Sequence, residues 1–155
     1  MNEIENVFPN STFVFTSRNP VNVVPSTCGM VECAASFKAD WSQLILSHVG
    51  GYTIERMAGF AKFQDAFIAK KKKEGKPCVE IDYKFSVKNP MESVEKIYKA
   101  AGRELTEKAR AEMLAHLGEH TQHKHGKADY SLEKFELTEE SISTGMADYK
   151  RNNGV

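Results

Sequence analysis

Residues 12–20 read TFVFTSRNP. The first five are β-branched or aromatic, and their nearly continuous apolarity is typical of a short strand that is buried on both faces. Pro20 suits the first turn of a helix, because the N–H that it lacks has no helical partner there. We therefore predict a strand that ends just before Arg18 and a helix over about 21–37, whose first turns Pro25 makes irregular.

Downstream, the pattern predicts a second strand and several helices. Apolar residues recur at helical spacing over 53–74, and the lysines before Gly75 suit the end of that helix. Residues 78–83 alternate like a strand. Three further helices are predicted over 90–101, 106–117 and 139–149. This order predicts an α/β fold with a parallel sheet and a helix-rich C-terminal half. A sheet usually has about five or six strands, and only two are predicted here. We therefore expect that the rest of the sheet is missing from this chain.

Composition argues against several classes of protein. The chain has 155 residues, which is the length of one domain or part of one. Its 21 basic and 21 acidic residues balance, which disfavours a basic nucleic-acid binder. No run approaches the roughly 18 apolar residues of a membrane segment, and the acidic start lacks the apolar core of a signal peptide. Three cysteines without a CxxC pair fit a reducing compartment, so cytoplasm is the default in the absence of any positive localisation signal.

The strongest local feature is Arg18 followed by Ser26, eight residues later. Open α/β sheets bind ligands where a strand ends and a helix starts, and the helix N-terminus favours an anion there. Arg18 offers a planar fork for phosphate, and Ser26 offers a hydroxyl donor. The plainer interpretation is an arginine that caps a loop and a serine that faces solvent, and spacing alone favours it.

With its neighbours, this pair resembles the sulfotransferases that use 3′-phosphoadenosine 5′-phosphosulfate (PAPS). That family has a strand, then Arg-(Asp/Asn)-Pro, then a helix with a serine eight residues after the arginine, as at Arg18 and Ser26. The other segments that look like the family are VEIDYKFSVKNP (79–90), IY (97–98), GREL (102–105), HG (125–126), YSLEKFEL (130–137) and Tyr149. Together they extend from about residue 8 to 149. The resemblance implies part of a P-loop-type, sulfotransferase-like parallel sheet flanked by helices.

The resemblance also implies roles in binding PAPS. The residues concerned are Arg18, Ser26, Tyr83, Lys124, His125 and Gly126. Arg18 and Ser26 would hold the 3′-phosphate, and Tyr83 would lie near the adenine. The turn at 124–126 would reach the same phosphate, although only its glycine matches the family outright. Two departures are Lys84-Phe85, where the family has acidic residues, and Glu136, where Gly is common. We therefore expect an altered turn before the last helix.

Other parts of the family pattern are not found in the chain. The Gly-rich phosphosulfate loop with its lysine, and the general base for the acceptor, would both lie upstream of Met1. We therefore expect residues 1–150 to be the C-terminal portion of one sulfotransferase-like domain, with 151–155 as a frayed tail and no catalytic residue. The intact enzyme would transfer a sulfuryl group from PAPS to a hydroxyl or amine of a small-molecule or glycan acceptor.

Two alternatives belong to other classes. One is a non-catalytic remnant or interaction module, which would self-associate through unpaired strand edges. The other is a His-rich metal-binding domain, since His116 and His120 are four residues apart, with His123 and His125 close behind. No cysteine or carboxylate is obviously placed to complete such a site, so we predict no metal. The lysines at 70–73 are expected to be a solvated helix end rather than a nucleic-acid site.

Overall fold

The computed structural model describes residues 1–37, 46–119 and 131–155. The helices in these ranges are α1 (Asn2–Val7), α2 (Pro20–Ser36), α3 (Leu46–Lys73), α4 (Tyr83–Lys88), α5 (Pro90–Ala100), α6 (Glu107–Glu119), α7 (Glu139–Gly145) and α8 (Ala147–Asn153). The strands are β1 (Phe13–Ser17) and β2 (Cys78–Asp82), which pair in parallel. The predicted helix-rich α/β fold with a parallel sheet is confirmed.

The chain divides into two compact units. One consists of Met1–Ser17 and Phe67–Ala128, and we call it the sheet unit. The other consists of Arg18–Ala66 and Asp129–Val155, and we call it the helical unit. The expectation that 1–150 form part of one domain stays a prediction.

In the sheet unit, the described residues cover one face of β1 and leave the other face exposed. The rings of Phe13 and Phe15 lie 4.7 and 6.1 Å from the ring of Phe67 on α3, measured between centroids. Val14 and Thr16 alternate with them, so they point to the opposite face of the sheet, and both are exposed. The predicted burial of β1 on both faces is therefore wrong for the part of the chain that the structure describes.

A buried lysine ties α1 to the end of α3 within the same unit. The side chain of Lys71 is only 3% exposed, and its ammonium group pairs with the carboxylate of Glu5. The same ammonium lies 5.3 and 5.2 Å from the ring centroids of Phe13 and Phe67, close enough for cation–π attraction. Lys76 also donates to Glu5. The ammonium of Lys70 lies 3.7 Å from the same carboxylate. One carboxylate on α1 therefore pairs with three lysines, of which Lys71 is desolvated.

Glu5→Gln should destabilise the protein in a pH-dependent way. Hydrogen bonds from Lys71 and then Lys76 lower the pKa of Glu5 from 4.5 to about 2. A lowered pKa means that ionised Glu5 stabilises the folded state above pH 4.5, and that this stabilisation is lost as the pH falls through about 2. Urea unfolding of both proteins from pH 7 to pH 2 should therefore show a difference that shrinks below pH 4.5.

The matched control is Glu3→Gln, which changes an exposed carboxylate on the same helix. Its effect on the free energy of unfolding should be small throughout the pH range. A Glu5→Gln effect that stays constant down to pH 2 would contradict the assignment of the ion pair to Glu5.

The helical unit has its own apolar core. Val24 and Cys28 from α2 are fully buried, and they pack with residues of α3, α7 and the segment before α7. The other buried members are Val49, Ala61, Phe135, Leu137, Ile142 and Met146. Burial raises the pKa of the Cys28 thiol, which marks it as a packing residue rather than a nucleophile.

Several boundaries differ from the sequence prediction. α2 is a single helix that continues through Pro25, and α3 begins at Leu46 rather than near 53. α1 and α4 were not predicted. The predicted helix over 139–149 is two helices, because the backbone at Met146 leaves helical values (φ −111°, ψ 20°). α8 then continues to Asn153, so three of the five residues expected to be a frayed tail are helical.

Candidate anion-binding site

The junction between β1 and α2 fixes the backbone on both sides of Arg18. Ser17 ends β1, and the backbone N–H of Arg18 donates to the hydroxyl oxygen of Tyr149 at 3.1 Å. Asn19 is the N-cap of α2, and its side-chain oxygen accepts from the N–H of Val21 at 3.0 Å. One hydrogen bond therefore restrains the main chain at Arg18, and a second restrains the start of α2.

The N-terminus of α2 suits a negatively charged ligand. α2 has 17 residues, starts with Pro20 and has no acidic residue in its first turn. Its partial positive charge is therefore not offset by a carboxylate of its own first turn. Arg18 is exposed two positions before Pro20, so a basic residue immediately precedes this helix.

Ser26 lies on the face of α2 that points away from the core. Val24 and Cys28 are buried, and at about 100° per residue Ser26 is turned by roughly 160–200° from both. Its side chain is half-buried. An arginine fork and a serine hydroxyl together supply the donors that a phosphate group accepts, so the donor set fits the group that the sequence predicts there.

Tyr83 occupies the equivalent place after the second strand. It is the first residue of α4 and is half-buried, and the preceding Asp82 caps the helix by accepting from the N–H of Phe85 at 2.8 Å. Ser17 and Asp82 are register partners in the parallel sheet. The other predicted cofactor residues, Lys124, His125 and Gly126, lie outside the described residues.

Tyr149 is the residue of this site to which the sequence assigns no role. It lies on α8, 131 positions from Arg18, so no local pattern could connect the two. Its ring packs against the core of the helical unit. It also borders a cavity of about 460 Å³ between α3 and α7–α8, where Asn152 donates to Asp65 at 2.7 Å.

A metal site receives no support from the described part of the chain. There, no group of three or more His, Cys, Asp or Glu side chains is arranged to hold an ion. His116 lies on α6, whereas His120, His123 and His125 lie outside the described residues. In the same part of the chain, no helix is both long and apolar enough to span a membrane.

Comparisons with known proteins identify the family. The model of the sulfotransferase family matches residues 1–107. The chain belongs to this family. The match includes Arg18, Ser26 and Tyr83, whereas Tyr149 lies beyond it. Among curated proteins, no sequence matches the chain.

A solved structure shows the same fold as this sulfotransferase-family chain. The crystal structure of sulfotransferase STF9 from Mycobacterium avium superposes with a TM-score of 0.78 at 21% sequence identity. The superposition covers 97% of this chain and 38% of that protein, so the chain spans about two fifths of its length. The predicted sulfotransferase-like fold is confirmed.

Proposed function

We propose that Arg18 and Ser26 bind the 3′-phosphate of PAPS, in a protein that transfers a sulfuryl group to a hydroxyl or amine of a small-molecule or glycan acceptor. The observation that carries the proposal is the backbone at Arg18, which is held on both sides beside a helix N-terminus without acidic residues in its first turn. Membership of the sulfotransferase family supports the reaction class.

The residues of this site bind and orient rather than transfer protons. The guanidinium of Arg18 offers a planar fork of donors that matches the oxygens of a phosphate monoester. The hydroxyl of Ser26 adds a neutral donor, and the dipole of α2 adds its partial charge. PAPS, when bound, supplies the sulfuryl group that the reaction transfers. The roles of Tyr83 near the adenine and of 124–126 at the phosphate remain predictions from the resemblance.

Discrimination between two nucleotides tests the proposal. Adenosine 3′,5′-bisphosphate carries the 3′-phosphate, whereas adenosine 5′-monophosphate lacks only that group. A hydrogen bond to a charged group contributes about 1.5–3 kcal/mol, so the bisphosphate should bind about 10- to 150-fold more tightly. Isothermal titration calorimetry on the wild-type chain measures both dissociation constants.

Equal affinities for the two nucleotides, or no binding of either, would reject the proposal. The non-catalytic interaction module would then be the better interpretation of this chain. Tight binding of the bisphosphate alone would leave the acceptor to be identified separately, since Arg18 and Ser26 act on the nucleotide.

A further inference from the structure

We propose that Tyr149 is a positioning residue for Arg18, and that its hydroxyl increases the affinity of the site for a 3′-phosphorylated nucleotide. This inference rests on the proposed function. It adds a residue that lies outside the segment matched to the family, since that match ends at 107. The hydrogen bond from the Arg18 N–H to the Tyr149 hydroxyl oxygen is the observation that supports it.

The hydrogen bond between Arg18 and Tyr149 lies directly after the last residue of β1 that pairs with β2. The parallel ladder ends with the register pair Ser17 and Asp82. Arg18 is the next residue, and its N–H finds an acceptor in Tyr149 instead of in a strand. The N-cap interaction of Asn19 with Val21 follows at once. Hydrogen bonds therefore restrain the main chain at Arg18 and again at the start of α2.

Tyr149 is itself held in place from two sides. Its ring packs against the core of the helical unit. On the same helix, Asn152 donates to Asp65 of α3 at 2.7 Å, and Lys150 donates to Ser143 of α7 at 3.1 Å. The hydroxyl is thus presented from a helix that is tied to two neighbours, so it can act as a fixed acceptor for the Arg18 N–H.

The consequence concerns the entropy of binding. The guanidinium of Arg18 stands at the end of a long side chain that loses rotamer freedom when it grips a phosphate. If its Cα is fixed in advance, less freedom remains to be lost, and the site is preorganised for the ligand. The hydroxyl of Tyr149 therefore acts through Arg18 and needs no contact with the nucleotide.

Tyr149→Phe is the variant that tests this role, because it removes the hydroxyl and keeps the ring in the core. We expect the dissociation constant for adenosine 3′,5′-bisphosphate to rise about 2- to 10-fold, the effect of one neutral hydrogen bond. The dissociation constant for adenosine 5′-monophosphate should stay the same, since that ligand lacks the 3′-phosphate that Arg18 is proposed to hold. In an Arg18→Ala background, Tyr149→Phe should cause no further weakening, because the side chain through which it acts is gone.

The matched control is Tyr52→Phe, which removes the hydroxyl of a tyrosine on α3 that is 56% exposed. It should leave both dissociation constants unchanged. Amide hydrogen exchange of the ligand-free protein provides a second readout that does not depend on the nucleotide. The Arg18 amide should exchange faster in Tyr149→Phe than in the wild type, and equal rates would overturn the inference.

The outcomes separate the two proposals. A wild type that does not distinguish the two nucleotides rejects the proposed function and this inference with it. If the wild type distinguishes the two nucleotides and Tyr149→Phe keeps the same preference for the bisphosphate, only the positioning role is overturned. Two other results are that Tyr149→Phe weakens the binding of both nucleotides equally, or that it weakens binding as much in the Arg18→Ala background as in the wild type. Either result would show that Tyr149 does not act through Arg18.

Discussion

Gly50→Ala is expected to lower the free energy of unfolding by about 1–3 kcal/mol, the usual cost of overpacking a core. A Cβ at this position would lie 2.5 Å from the carbonyl oxygen of Phe135 and 2.9 Å from Cδ2 of Leu137. Phe135 and Leu137 are themselves buried in the core of the helical unit, so neither can move away freely. The main chain of α3 therefore approaches the segment before α7 at a distance that only glycine permits.

The neighbouring glycine provides a control, because its replacement by alanine is expected to raise the free energy of unfolding rather than lower it. Gly51 lies in the same turn of α3, but a Cβ added there meets nothing within 4 Å. Alanine is favoured over glycine in a helix by about 1 kcal/mol, so Gly51→Ala should stabilise the protein by up to that amount. Urea unfolding monitored by circular dichroism measures both variants. If Gly50→Ala proved as stable as Gly51→Ala, the close approach to Phe135 would be excluded.

Local signals in the sequence predicted much of the framework around the candidate site. The strand before Arg18, the proline that starts α2 and the strand over 78–82 each have a pattern within a few residues. The structure places these elements within one or two residues of their predicted ends. Such features depend on side-chain periodicity and on the restricted backbone of proline. Both are properties of the local sequence and do not depend on tertiary contacts.

Contacts between distant segments could not be predicted in the same way. The prediction began α3 near 53, where the apolar residues at helical spacing start, whereas the helix begins at Leu46 and includes Gly50 and Gly51. Packing of Gly50 against Phe135 gives the physical reason, because a small residue allows the helix to approach the segment before α7. The link between Tyr149 and Arg18 likewise exists only once the chain is folded.

The turn at Glu136 shows how a departure from the family pattern is accommodated. The resemblance places a common glycine at this position, and the sequence predicts an altered turn. In the structure Glu136 has φ 52° and ψ 36°, the left-handed conformation that glycine adopts at little cost. For a residue with a Cβ, such as Glu136, this left-handed conformation costs roughly 1 kcal/mol or more of free energy.

Arg18→Ala should abolish most of the preference for a 3′-phosphorylated nucleotide. Loss of a charged hydrogen-bonding partner predicts a dissociation constant for adenosine 3′,5′-bisphosphate that is about 10- to 150-fold higher. Adenosine 5′-monophosphate should bind as it does to the wild type. Because Arg18 is exposed, the free energy of unfolding should change by no more than about 0.5 kcal/mol, which separates lost binding from lost structure.

Arg18→Lys distinguishes the geometry of the guanidinium from its charge. Lysine keeps the positive charge but offers a single ammonium in place of a planar fork, so we expect an affinity for the bisphosphate between those of the wild type and Arg18→Ala. Rising salt should lower the affinity for the bisphosphate more in the wild type and the lysine variant than in the alanine variant, since salt screens the positive charge that the first two carry. An alanine variant that still prefers the bisphosphate as strongly as the wild type would show that the 3′-phosphate is held elsewhere. Ser26, which is proposed to share that phosphate with Arg18, and Tyr149, which acts through Arg18, would then lose their assigned functions as well.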